Sequence, residues 1–173
     1  MKAIVCSAFG APAQVTSVQT IPAPATVAED EVLIEVRHAT VCHATGLLIE
    51  GKYQKTPPLP FVPGTEGAGT VLQCGSAVRH TKVGDTVVFI CDWGAYSEQM
   101  VVKAATVYPV PAGLDPLKAL ALPISYGTAY TALHWRAGIQ AGDSILVLGA
   151  GSGVGAAAVE LAAQIPDVKV IAC

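Results

Sequence analysis

Seven residues near the carboxyl end carry the clearest chemistry in this 173-residue sequence: Gly149-Ala150-Gly151-Ser152-Gly153-Val154-Gly155. Glycines let a backbone take positive φ and approach a ligand with no Cβ in the way. An apolar run at 145–148 precedes the turn, a small-residue stretch at 156–164 follows it, and a second apolar run occupies 168–172. Strand, glycine turn, helix, strand is the order of a βαβ unit, whose helix aims unpaired N–H groups and its positive dipole end at the turn. The chemistry implied is the cradling of a dinucleotide pyrophosphate, a reading the flanking elements favour over a plain tight turn. Two frames fit the fingerprint equally, Gly151-x-Gly153-x-x-Ala156 and Ala150-x-Ser152-x-x-Gly155. Ala150, Gly151, Ser152, Gly153, Val154 and Gly155 are therefore the candidate cofactor-binding residues.

Other reactive side chains are sparser. Cys42 and His43 are neighbours, and with Glu66 they offer the residue types of a Cys–His nucleophile. Adjacent residues on one extended strand point to opposite faces, so the pair is read as a cleft-lining cysteine beside an ordinary histidine. His38, His80 and His134 lack partners at useful spacing and read as surface or satisfied residues. The five cysteines, Cys6, Cys42, Cys74, Cys91 and Cys173, include no CxxC pair, which fits reduced thiols.

The elements that must position these groups fall into two regions. Up to about residue 111, short apolar runs at 3–6, 32–36, 69–74, 86–90 and 95–102 read as strands separated by turn signals. Lys82-Val83-Gly84-Asp85 is a turn feeding the fourth run, and Pro57, Pro58, Pro60 and Pro63 enforce an extended loop. This is the pattern of a compact, irregular β-barrel. From Asp115-Pro116, an N-cap aspartate with proline in the first turn, the chain reads as helical to about Arg136, interrupted near Pro123. The predicted fold is β + α/β: a barrel domain over 1–115, then over 116–173 the first βαβ unit of an incomplete Rossmann dinucleotide-binding domain.

Bulk properties narrow the partners. A net charge of −3 argues against nucleic acid or an anionic membrane surface as the natural partner. Mean hydropathy is +0.52, high for a soluble chain, yet no apolar run reaches the roughly 18 residues of a membrane span. The opening residues MKAIVCSAFG lack the regions of a signal peptide, which makes the cytoplasm the default location.

The order of motifs resembles the N-terminal half of the medium-chain dehydrogenase/reductase superfamily, and most closely its zinc-free quinone oxidoreductase branch. The residues that carry the resemblance are GKY at 51–53, PGTEGAG at 63–69, KVGDTV at 82–87, GAYSEQMVV at 94–102, GTAYTAL at 127–133 and the final glycine turn. The resemblance implies a GroES-like barrel beside a Rossmann domain, with a small quinone or enone acceptor in the cleft between them. It also implies hydride delivery from NADPH, with NADH left open, and a homodimer for the whole protein.

Zinc-dependent relatives hold their metal with a cysteine, a histidine from Gly-His-Glu, and a third ligand near the domain junction. Here Cys42 keeps the first place, but the second reads Gly64-Thr65-Glu66 and residues 122–126 contain no cysteine or histidine. One thiolate does not make a catalytic zinc site, so no metal is expected. By resemblance Tyr53 matches a tyrosine at the cleft mouth and is the candidate hydrogen-bond donor, and Thr128 matches a threonine on the nicotinamide side. Cys42 stands where quinone reductases usually carry asparagine and is counted with the cofactor contacts. A Rossmann sheet normally has six strands, and this sequence supplies two. The chain therefore reads as a fragment of, or a truncated gene for, a protein about twice as long, its two-stranded stub leaving apolar surface exposed. The competing readings are a zinc-less alcohol-dehydrogenase-like protein and a non-catalytic binding remnant.

Overall fold

The computed structural model describes residues 1–173 in full, and the chain divides into two compact units, Met1–Leu120 and Ala121–Cys173. In the first unit, β1 (Lys2–Cys6) and β2 (Thr16–Thr20) pair antiparallel around a one-turn helix, α1 (Pro12–Val15), which proline starts. Five further strands are β3 (Glu31–Ala39), β4 (Glu66–Cys74), β5 (Thr86–Ile90), β6 (Gln99–Lys103) and β7 (Val107–Pro109). They form one antiparallel sheet in the order β6-β3-β4-β5-β7. Alternation along the strands selects the inner face: Val32 and Ile34, Met100 and Val102, Val87 and Phe89 meet with Val71 and Val107 in one core. Isolated bridges from Ala3 to Ser97 and from Cys6 to Phe61 tie the β1–β2 pair to the rest of the unit.

Two helices close this unit. The helix α2 (His43–Ile49) buries Leu48 and Ile49 with Cys6 and Phe61. The short α3 (Pro116–Ala119) begins as its residues predict, the Asp115 carboxylate accepting from the Leu117 amide at 2.9 Å, and it packs Ala119, followed by Leu120, against Ala68 and Val88.

Two sequence expectations change here. Residues 95–102 do not form one strand. Gly94 turns the chain at φ +117°, and the amides of Ala95 and Tyr96 are bound by the carbonyls of Gly64 and Pro63, so strand pairing with β3 starts only at Gln99. Cys42 and His43 do not lie on an extended strand either: Cys42 is the residue before α2 and His43 its first helical residue.

In the second unit β8 (Ser144–Val147) pairs in parallel with β9 (Lys169–Ala172), and α4 (Gly127–Tyr130) and α5 (Gly153–Ala162) pack on each other. The crossover through α5 makes the predicted strand–turn–helix–strand unit. Leu146 and Leu148 are 56% and 76% exposed, so one face of this pair carries bare apolar side chains. The helical segment is interrupted around Pro123, as expected, since α3 ends at Ala119 and α4 begins at Gly127. Between them it widens into a π turn, Leu122–Tyr126, in which the Tyr126 amide reaches back to the Ala121 carbonyl at 3.3 Å. Proline offers no N–H and its ring crowds the carbonyl four residues back, so the chain loosens rather than stops. A second π turn, Thr131–Ala137, follows α4 and ends at Gly138 in left-handed geometry.

Close approach of β4 to its neighbours β3 and β5 depends on missing side chains. A Cβ at Gly69 would fall on the Glu35 carbonyl, and one at Gly67 on the Phe89 ring. Gly69→Ala is expected to lower unfolding free energy by about 2 kcal/mol or more, read by chemical denaturation. An unchanged midpoint would show that the strands can part without cost.

Candidate functional site

The glycine turn is built from three different requirements on its residues. Gly149 takes φ +74°, a left-handed turn that glycine enters without strain. Gly155 has no room for a side chain, since a Cβ there would fall on the Gly149 carbonyl. Of the two frames that sequence left open, Ala150-x-Ser152-x-x-Gly155 is the one whose last glycine stands where close packing excludes a side chain. Ser152 caps α5, its hydroxyl accepting from the Gly155 amide at 3.1 Å. The Ala150 amide is held by the Cys173 carbonyl at 2.9 Å, which fastens the turn to the end of β9.

What remains is uncommitted. Gly153 and Val154 are the first two residues of α5, where amides have no acceptor within the helix. Gly151 has ordinary φ and open space where its Cβ would stand. Neither backbone strain nor packing demands glycine at 151. No acidic residue occupies the first turn of α5, so nothing opposes an anion at its positive end. Ala150, Gly151, Ser152, Gly153, Val154 and Gly155 are thus together on one turn. Thr128, on α4, is exposed in a groove of about 520 Å³ with Pro123, Thr131 and Arg136.

In the first unit a polar cluster surrounds Cys42. Its sulfur lies 3.3 Å from the Thr45 hydroxyl and 4.0 Å from that of Thr65, both threonines being buried. Thr40, two residues before Cys42, is held from both sides: its hydroxyl donates to Glu66 Oε1 at 2.6 Å, and its carbonyl accepts from the Tyr96 hydroxyl at 2.7 Å. Burial is the main force pushing the Tyr96 phenol above its ordinary range. A Thr45 hydrogen bond pulls it back, and the negative charges of Cys42 and Glu66 add to the rise.

His43 is exposed and makes no bond to Cys42, so the cluster is not a Cys–His pair. One thiol with two hydroxyls is a poor donor set for zinc, and no three His, Cys, Asp or Glu side chains gather where they could hold a metal ion. Tyr53 lies in the loop after α2, 37% exposed, and its hydroxyl makes no hydrogen bond within the chain. Sequence reasoning missed Thr40 and Tyr96. The Thr40–Tyr96 bond joins residues 56 positions apart, and no local pattern announces it.

Comparison with known proteins agrees with this architecture. Residues 28–112 match the alcohol dehydrogenase GroES-like domain. The chain is 35% identical over 171 residues to quinone oxidoreductase-like protein 2 of Rattus norvegicus, covering 99% of this chain and 48% of that protein. It is 38% identical over 163 residues to the quinone oxidoreductase of Lama guanicoe, covering 94% and 49% respectively. The crystal structure of Escherichia coli quinone oxidoreductase complexed with NADPH superposes with a TM-score of 0.91 at 30% identity, over 99% of this chain and 52% of that one. The chain thus spans about half the length of the curated relatives it matches. No helix is long and apolar enough to cross a membrane.

Beside the Cys42 cluster, Cys91 donates to the Gly64 carbonyl, and burial is the first cause of a thiol pKa pushed up to about 12 from 9.0. Between those values the folded chain keeps a proton that the unfolded chain has lost. The stabilisation is complete below about pH 9 and disappears as pH rises towards 12. Denaturation midpoints are therefore expected to fall across that window, by up to about 1 kcal/mol per pH unit for this one group. Cys91→Ala should flatten the slope. An equal slope in the variant would assign the alkaline loss to other groups.

Proposed function

The chain belongs to the medium-chain dehydrogenase/reductase superfamily, aligning with the N-terminal half of its quinone oxidoreductases, and on that premise we propose that it serves an NADPH-dependent, zinc-independent reduction of a quinone or an α,β-unsaturated carbonyl. The observation that carries the reading is Gly151, a glycine inside the turn that the fold itself does not require. The free amides of Gly153 and Val154, next to a position without Cβ, suit a pyrophosphate. When bound, NADPH supplies the hydride.

The work of this chain's own residues is then positioning and charge stabilisation. Residues 116–173 begin the cofactor domain and residues 1–115 form the barrel that offers polar groups to the acceptor. Ala150, Gly151, Ser152, Gly153, Val154 and Gly155 hold the phosphates, and Thr128 faces the nicotinamide side. Tyr53, with a hydroxyl uncommitted inside the chain, donates to the acceptor oxygen as negative charge develops there. Cys42, its sulfur between two threonine hydroxyls, gives the nicotinamide pocket a softer and less polar wall than an amide side chain would.

Fluorescence titration with NADPH tests the reading. Wild-type chain is expected to show saturable binding, and Gly151→Val to weaken it by roughly ten-fold or more. Because open space surrounds that position, the same variant should keep its unfolding free energy within about 0.5 kcal/mol of wild type. No saturable binding by the wild-type chain, or unchanged binding by the variant, would refute the assignment of this turn to a dinucleotide.

A further inference from the structure

Gly153 differs from the other glycines of the turn in what excludes a side chain from it. Its φ is ordinary and no backbone atom crowds it; a Cβ at 153 would instead stand 2.8 Å from the hydroxyl of Ser125. The Ser125 Cβ is farther from that point, at 3.8 Å, so the hydroxyl leads towards the turn. Ser125 belongs to the π turn Leu122–Tyr126, is half-buried, and its hydroxyl enters no hydrogen bond within the chain.

The π turn is what brings this residue to the helix end. Its neighbour Tyr126 donates from its hydroxyl to the Glu160 carboxylate on α5, which ties the turn to the helix that begins at Gly153. A half-buried hydroxyl with no partner is a donor in waiting, since burying a polar group without a hydrogen bond carries a cost that a ligand can remove. The first α5 amide next to it is likewise uncommitted.

We propose that Ser125 is a further ligand-binding residue, whose hydroxyl donates to a phosphate oxygen of the pyrophosphate held at the Gly153 and Val154 amides. The proposal rests on the dinucleotide reading of the glycine turn. On this view Gly153 is glycine to keep the passage between Ser125 and the α5 terminus clear. A hydroxyl bonded to a phosphate oxygen is a charge-assisted hydrogen bond, stronger than one between neutral groups.

The test is a two-dimensional amide NMR titration of the 173-residue chain with NADPH, and in parallel with inorganic pyrophosphate. Saturable shifts of the Gly153 and Val154 amides are expected in wild type with both probes. Ser125→Ala should need roughly three- to ten-fold higher concentrations of either probe, the loss of one hydrogen bond to a charged group. Its spectrum without probe should match wild type at residues 149–155. Equal affinities in the two proteins would overturn the Ser125 proposal and leave the dinucleotide reading standing. A changed unliganded spectrum would make Ser125 a structural brace and equally overturn it. Absence of saturable shifts in wild type would remove the dinucleotide reading and this proposal with it.

Discussion

Backbone meeting backbone, with no Cβ between, is the constraint on which both units depend. In the second unit the Gly149 carbonyl stands where a side chain of residue 155 would start, and that contact sets how closely α5 can leave the turn after β8. In the first unit the Glu35 carbonyl takes the same place opposite Gly69 at the centre of the main sheet. Neither contact contributes much attraction by itself. Each permits a packing that a single methyl group would prevent, and interiors at crystal-like density have little slack to absorb one.

The two contacts have different consequences. Around β4 they allow a sheet whose strands sit close enough to bury Glu66 and Ala68, and the buried Glu66 carboxylate then anchors Thr40 two residues before Cys42. Around α5 they allow the helix to start immediately at the turn, which leaves two amides uncommitted on residues already fixed in direction. In both places a small residue in the scaffold decides where a polar group is presented. Threonine at 65 then determines the chemistry of the Cys42 cluster: its hydroxyl faces the sulfur where an imidazole would be needed for a metal.

Much of this was legible in the chain. The strand at 86–90, the aspartate cap before Pro116, and the strand–turn–helix–strand order around 149–155 are local signals, set by period, turn chemistry and capping within a few residues. The failures share a cause. Residues 95–98 have the composition of a strand, yet the amides of Ala95 and Tyr96 are taken by the carbonyls of Gly64 and Pro63, and that of Glu98 by the carbonyl of Lys2, all far away in sequence. Cys42 and His43 look extended beside a β run, but Leu48 and Ile49 bury against Cys6 and Phe61 only if the chain coils there. Pro123 signals an interruption, which occurs, but its form as a π turn tied to α5 by the Tyr126–Glu160 bond was not legible. Long-range partners overrode local preference in each case.

The sequence by itself determined the division into a β-rich and an α/β region, the identity of the glycine turn and the absence of a histidine at position 65, because these follow from residue type and near spacing. Only tertiary structure decided which glycine packing requires and which it does not. That distinction depends on what stands opposite each missing Cβ: the Gly149 carbonyl at 155, the Ser125 hydroxyl at 153, and open space at 151. The same holds for Tyr96 and Thr40, whose bond exists because two distant segments are folded against one another. Sequence spacing specifies neighbours along the chain, whereas the space around an atom is set by every segment that folds past it.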